Sequence, residues 1–310
     1  MENILITGGA GFIGSHLVER CLETGHRVVC IDNFLTGSRE NIGAYENNPA
    51  LEVIEHDVTV PFDSPEAVSV VIHLASPASP IDYLRFPVET LGAGSLGTLN
   101  ALNLAMSMNA RFVLASTSEV YGDPAVHPQP ESYWGNVNPI GPRSVYDEAK
   151  RFGEALTMAF RRHRDTNAGI VRIFNCFGPR MRLFDGRAVP TFIRQALGKE
   201  PLTVAGDGSQ TRSLCYVDDI VEGIFQFAKS DGSGPLNLGN PEEVSMLDLA
   251  KEVIHLTGSP SHVEFIGRPQ DDPERRLPDI TAAKGALAWE PRVTRADGLA
   301  RTIDWFEGRL

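Results

Sequence analysis

Tyr146 and Lys150 stand four positions apart in a segment, Ser144 to Arg162, whose apolar spacing predicts an α-helix, so their side chains share one face. A phenol beside an ammonium is suited to proton abstraction. The positive charge stabilises phenolate, and phenolate can take the proton of a hydroxyl whose carbon gives up a hydride. Ser144, three residues before Asp147, has the character of a helix cap that would fix where the face begins. Alone, a Y-x-x-x-K spacing is common on surface helices; its meaning comes from what lies upstream.

Gly8, Gly11 and Gly14 form G-x-x-G-x-x-G between an apolar run, Asn3 to Thr7, and a helical pattern, Phe12 to Thr24. In that setting glycines serve a tight turn and a close backbone approach to a pyrophosphate, and the helix start offers free N–H groups to the anion. Asp32 ends the next strand, eighteen positions after Gly14, where a carboxylate accepts hydrogen bonds from both adenosine ribose hydroxyls. These features predict NAD as cofactor. A 2′-phosphate would meet a like charge at Asp32, although Arg39 nearby leaves some room for NADP.

The elements that must carry these groups alternate. Short β-branched runs at Arg27–Ile31, Leu51–His56, Val68–Leu74, Arg111–Ser116 and Gly169–Phe174 are predicted strands, with predicted helices at Glu89–Met108 and Ser144–Arg162 among the later ones. The expected fold class is therefore α/β, a doubly wound parallel sheet with helices on both faces. After Asn175, proline and glycine become frequent and a smaller lobe is expected. We draw residues 1–174 as a cofactor-binding domain of Rossmann type, with a return segment near 213–232 that includes a helix from Asp218 to Ala228, and residues 175–310 mainly as a substrate-binding lobe.

Composition narrows the function classes. In 310 residues, 42% hydrophobic and 22% charged, a sizeable core can be buried, which argues against disorder. A formal charge of −12 disfavours nucleic acid as a partner, so an anionic ligand must be met by individually placed arginines. Cys21, Cys30, Cys176 and Cys215 are far apart and without C-x-x-C spacing, as expected of reduced thiols in a cytoplasmic protein. Met1 to Ile4 lead straight into a strand pattern without a basic and apolar leader, and the longest apolar stretch, Val68 to Ala75, is far short of the ~20 residues that span a bilayer. Neither secretion nor membrane insertion is expected. The eight histidines show no ligand spacing, and no metal is expected.

Thr7-Gly8-Gly9-Ala10-Gly11-Phe12-Ile13-Gly14 together with Tyr146 and Lys150 resembles the extended short-chain dehydrogenase/reductase family, over essentially the whole chain. Within it, Thr117-Ser118-Glu119, His73-Leu74-Ala75-Ser76-Pro77-Ala78-Ser79-Pro80 and Tyr133 to Arg143 resemble the branch that decarboxylates UDP-glucuronate to UDP-xylose. Sugar 4,6-dehydratases of the family carry Asp-Glu where this chain has Ser118-Glu119, so the acid that protonates a departing hydroxyl is missing.

The resemblance implies that Tyr146 is the base at C4, that Lys150 tunes it and holds the ribose, that Thr117 bonds near the C4 oxygen, and that Glu119 orders water or the sugar carboxylate. Arg276 is implied beside the sugar. For the cofactor it implies Gly8, Gly11, Phe12, Ile13, Gly14, Asp32, Asn33, Asp57, Val58, Leu74, Ala75, Ser76, Tyr146 and Lys150. For the nucleotide sugar it implies Glu119, Asn175, Val189, Thr203, Ala205, Arg212 and Arg276. It also implies a homodimer through the helices near Glu89–Met108 and Ser144–Arg162.

Two positions depart from the family pattern. Ala205 stands where a tyrosine is usual, and Gly94 where an asparagine is usual, which removes an amide linked to water behind Lys150. Three other readings remain open from sequence: a decarboxylase that releases the 4-keto-pentose and NADH, a nucleotide-sugar 4,6-dehydratase, and a non-enzymatic NAD-sensing protein. Intact Tyr146, Lys150 and Glu119 argue against the last.

Overall fold

The computed structural model describes residues 2–309. Its centre is a parallel seven-stranded sheet, built from β1 (Asn3–Thr7), β2 (Arg27–Asp32), β3 (Leu51–Glu55), β4 (Val70–His73), β5 (Arg111–Thr117) and β6 (Ala168–Ile173) with one later strand. The order, from β3 at one edge, is β3-β2-β1-β4-β5-β6, so the direction in which successive strands are added reverses between β1 and β4, which pair in parallel. A ligand crevice forms at the carboxyl ends of strands where the order reverses. β5 is buried along its whole length, as a strand covered on both faces must be.

Helix α1 (Phe12–Glu23) follows the glycine turn. Ser79 caps α2 (Pro80–Arg85) by accepting from Asp82 N, with Pro80 in the first turn, where its missing N–H costs nothing. The single helix expected over Glu89–Met108 is instead α3 (Pro87–Gly92), one π-helical turn (Ala93–Gly97) and α4 (Thr98–Ser107).

The π turn sits against α5 (Ser144–His163), where a Cβ placed on Gly94 would lie 2.6 Å from the Ala149 Cβ and 2.9 Å from its carbonyl oxygen. Close approach of two helices is thus what the glycine permits. Ser144 does not cap α5; it is the first helical residue, preceded by Arg143, and no side chain closes that end. The end is closed by backbone bonds from Tyr146 N and Asp147 N to the Arg143 carbonyl.

Beyond Asn175 the elements are short, as the rise in proline and glycine suggested. They are β7 (Cys176–Phe177), α6 (Ala188–Leu197), β8 (Leu202–Ala205), β9 (Thr211–Ser213), β10 (Cys215–Tyr216) and α7 (Val217–Ala228), followed by β11 (Leu236–Leu238), β12 (Glu243–Ser245), α8 (Met246–Thr257), β13 (Val263–Ile266), β14 (Arg275–Arg276), α9 (Thr281–Leu287) and α10 (Arg295–Glu307). β11 pairs with β6 and completes the large sheet, while α7 packs on α1. The segment returning to the first lobe therefore reaches Leu238, beyond the stretch expected from sequence, because β11 is too short to show a strand pattern. One buried apolar cluster runs from Ile4, Leu17 and Val113 to Phe192, Leu202 and Leu249, so the lobes share a core.

Candidate active site

A cavity of about 1200 Å³ opens at the carboxyl ends of the strands and extends between the lobes. At its floor the chain leaves β1 through Gly8, whose φ of +73° is one that glycine alone adopts freely, and Gly11 N donates to Gly8 O at 3.1 Å. A Cβ on Gly14 would stand 2.0 Å from Gly8 O. No side chain caps α1 at Gly11, which leaves the first N–H groups of the helix for a ligand.

Asp32 binds the turn from the side, accepting from Ala10 N at 2.9 Å and Phe34 N at 2.8 Å. Burial raises its carboxyl against those two N–H groups. Asn33 donates to Asp57, which Thr59 also holds, and Val58, Leu74, Ala75 and Ser76 complete this wall. Arg39 is turned away onto Glu55 and the Phe34 ring. Glycines that leave no room for a Cβ, an uncapped helix start and a carboxylate at the second strand end fit a dinucleotide such as NAD.

Across from this turn, β5 and α5 are joined by consecutive contacts. Lys150 Nζ donates to Ala115 O at 2.9 Å, Ser116 Oγ donates to Glu154 at 2.6 Å, and Thr117 acts on the Tyr146 phenol. The Tyr146 ring stacks on Tyr83, with centroids 5.3 Å apart and planes 10° from parallel, and Lys150 Nζ lies 5.9 Å from the Tyr146 ring centre. Burial pushes the phenol up to about 12, opposed by Thr117 and by Arg187. Burial lowers Lys150 to about 8, opposed by Glu154. Arg187, which the sequence did not single out, is a second cation acting on the phenol. His73, fully buried against Thr7 Oγ1 at 2.7 Å, is held neutral by burial and by the Lys150 charge.

Glu119 sits where β5 runs into a short 3₁₀ turn, Ser118–Tyr121, that Thr117 caps. Burial would raise its carboxyl, but Arg276 and Arg143 hold it well below the usual carboxylate range, Arg143 at 2.7 Å and Arg276 at 3.2 Å. Arg276, expected beside the sugar, does not line the cavity. It lies behind Glu119, 1% exposed, with its guanidinium also donating to the carbonyls of Ser118 and Gly122. Pairing of β14 with β9 and packing on the 3₁₀ turn direct it inward.

Every other residue expected from sequence lines the cavity. Asn175 presents a buried Oδ1 that no protein group satisfies, an acceptor left for a ligand. Thr203 is held by Gln195 from both its N and its Oγ1, and Arg212 is oriented by Asp272 at 2.8 Å. Ala205 and Val189 supply apolar wall. The sequence did not single out Arg143 or the pair Arg187 and Asp185, whose guanidinium and carboxylate meet in two parallel bonds. Arg143 could have been found as the residue one turn before Tyr146. Arg187 had no such signal. Among the described residues, no group of three or more His, Cys, Asp or Glu gathers as a metal site, and no helix is long and apolar enough to cross a membrane.

The sequence pattern of the NAD dependent epimerase/dehydratase family matches residues 4–239. UDP-glucuronic acid decarboxylase 4 of Arabidopsis thaliana is 51% identical over 307 residues, 99% of this chain and 69% of that protein. UDP-glucuronic acid decarboxylase 1 of Danio rerio is 50% identical over 309 residues, 100% of this chain and 73% of that protein. Among solved structures, UDP-glucuronic acid 4-epimerase from Bacillus cereus, in complex with UDP-glucuronic acid and NAD, superposes with a TM-score of 0.87 at 28% identity, covering 99% of both chains.

Proposed function

The chain belongs to the NAD dependent epimerase/dehydratase family, and from that premise we propose that it decarboxylates UDP-glucuronate to UDP-xylose with NAD as cofactor. The observation that carries the reading is Glu119, an ionised carboxylate fixed by Arg143 beside Tyr146, with Ser118 where a dehydratase needs its acid. When bound, NAD supplies the acceptor for the C4 hydride and gives it back at the end.

The chain's own residues do the rest. Tyr146 takes the C4 hydroxyl proton, and Thr117 orients the phenol and the C4 oxygen. Lys150, fixed by Ala115 O, holds the ribose, and Asp32 the adenosine ribose. With C4 a ketone, the C6 carboxylate is a β-keto acid and leaves as carbon dioxide; Glu119 orders the water or carboxylate next to that bond. Asn175 and Arg212 bind the diphosphate side of the sugar nucleotide, Val189, Thr203 and Ala205 line its far end, and Arg276 fixes Glu119. In this reading residues 1–174, with the returning segment, hold the cofactor, and 175–310 hold the nucleotide sugar.

Two further parts of the reading rest on surface and composition. Val88 and Leu91 on α3 and Phe152 on α5 are exposed apolar side chains on helices packed together, which supports a homodimer through that face. Four buried free thiols support a cytoplasmic location. Incubation with UDP-glucuronate and NAD, followed by mass analysis, tests the reaction: loss of carbon dioxide with formation of a UDP-pentose is expected. Turnover of a nucleotide-glucose lacking the carboxylate would instead support a dehydratase, and release of 4-keto-pentose with stoichiometric NADH would remove the closed cycle.

A further inference from the structure

The proposed reaction has a proton balance that the main cavity does not account for. UDP-glucuronate and one proton give UDP-xylose and carbon dioxide, with NAD unchanged. The C5–C6 bond breaks, its electron pair passes into an enolate over C5, C4 and the C4 oxygen, and C5 then accepts a proton. The proton that Tyr146 takes from the C4 hydroxyl is needed again at the C4 oxygen when the ketone is reduced. C5 must therefore be protonated from solvent, once per turnover, while substrate and cofactor fill the site. Glu119 is a poor carrier because two arginines hold it ionised.

A second cavity of about 300 Å³ lies behind this wall. Arg143 and Asp272 line both it and the main cavity. Asp147, one residue after Tyr146 on α5, lines the small cavity, is 6% exposed, and has a buried Oδ1 with no hydrogen-bond partner. A buried carboxyl oxygen without a donor calls for an explanation, since leaving it unsatisfied costs on the order of 1–3 kcal/mol.

We propose that Asp147 is the proton-loading group of this site, taking a proton from solvent through the small cavity and passing it, by way of water beside Arg143, to the water that Glu119 orders at C5. The inference rests on the decarboxylase reading. Asp147 has the right chemistry for the role: burial and the Glu119 charge raise its carboxyl toward neutrality, with Arg143 and Arg276 opposing. Glu148 on its own helix, Tyr146, and Tyr83 on α2 also act on it or feel its charge, and Asp123, Asp271 and Asp272 share the cavity wall. Two carboxyls on either side of one arginine are thus driven apart, one held ionised and one raised toward its protonated form, which is the pattern of a base and an acid.

Asp147→Asn keeps the shape and removes the exchangeable proton. In rapid-quench single turnovers, carbon dioxide release should keep its wild-type rate, while UDP-pentose should form on the order of 10²-fold more slowly and the enolate should accumulate, recovered after the acid quench protonates its C5 as the 4-keto-pentose nucleotide. Asp147→Glu should recover most of the rate. Product formation at the wild-type rate overturns the proposal, and so does an equal fall in both steps, which would mark a structural role. If the variant does not fold, the wild-type enzyme decides. The product-forming step should slow as pH rises through neutrality and Asp147 loses its proton, and a flat profile overturns the proposal. Wild-type protein that releases no carbon dioxide from UDP-glucuronate defeats the decarboxylase reading instead.

Discussion

Ser116 Oγ donates to Glu154 Oε1 at 2.6 Å, and this bond is one of a ladder of contacts between β5 and α5. Ala115, Ser116 and Thr117 are consecutive on the strand, and their partners Lys150, Glu154 and Tyr146 recur every four residues on the helix. Glu154 is itself clamped by Arg172, whose guanidinium reaches both its oxygens at 2.9 and 2.7 Å. The helix is thereby locked in register and in rotation about its axis, so the phenol and ammonium face the cavity together.

Glu154 opposes the burial that lowers Lys150 to about 8. The ammonium is charged below that value and discharges as pH rises through it. Glu154→Gln, which keeps an acceptor for Arg172, should move the alkaline loss of activity to lower pH by roughly half a unit to one unit. A pH profile of kcat/KM for NAD checks this, with Glu154→Asp expected to retain the wild-type limb.

Tyr146→Phe should reduce conversion by on the order of 10²–10⁴-fold while leaving UDP binding intact. Carbon dioxide release and calorimetric titration with UDP measure the two separately. Unchanged turnover would remove the tyrosine from the mechanism.

The ion cluster around Glu119 should make the protein acid-sensitive. Its carboxyl is held low in the folded state, so the stabilisation is present above the ordinary carboxylate range and is lost as pH falls through the lower, folded value. Glu119→Gln leaves buried Arg276 without its carboxylate and should cost ~3 kcal/mol in urea unfolding at neutral pH. The difference from wild type should shrink in acid.

Asp32→Ala removes the acceptor of the Ala10 and Phe34 N–H groups as well as the proposed ribose contact. NAD affinity should fall by roughly a hundredfold, as for two hydrogen bonds to a charged group. Fluorescence titration would show it. A switch to NADP is not expected, because Arg39 is engaged by Glu55.

Gly94→Asn restores the residue usual in the family, yet its Cβ would meet Ala149 at 2.6 Å. Helix α5 would have to move, and with it the ladder. Destabilisation of ~1–3 kcal/mol with reduced activity is expected, read from a thermal melt and a turnover assay.

The strands of the large sheet up to β6, the glycine turn and the Tyr146–Lys150 face were legible because each follows a strong local rule: buried β-branched runs, glycine where a Cβ cannot fit, and i, i+4 spacing. The π turn at Ala93–Gly97 was not, since its apolar spacing is nearly that of an α-helix and the close packing of its Gly94 on Ala149 is a long-range contact. Ser144 looked like a cap, but the chain enters α5 already helical at Arg143, whose φ and ψ are −83° and −15°. Likeness placed Arg276 beside the sugar; that it stands behind Glu119 instead depends on the β9–β14 pairing, between residues sixty-four positions apart (212 and 276). Arg143 and Arg187 lie outside any periodic element, and an isolated arginine carries no signal of its own.

The completion of the large sheet by β11 bears on how the chain is made. Residues are synthesised in order, so β6 emerges with an open hydrogen-bonding edge, and its partner, paired at Leu236 with Val171 and at Leu238 with Ile173, follows more than sixty residues later. Until Leu238 clears the ribosome, the cofactor-binding half is a sheet with an unprotected side, the kind of edge that recruits another chain. The nascent protein therefore has an interval of vulnerability that ends only when its second lobe has begun to fold, and truncations between Ile173 and Leu236 should accumulate as aggregates.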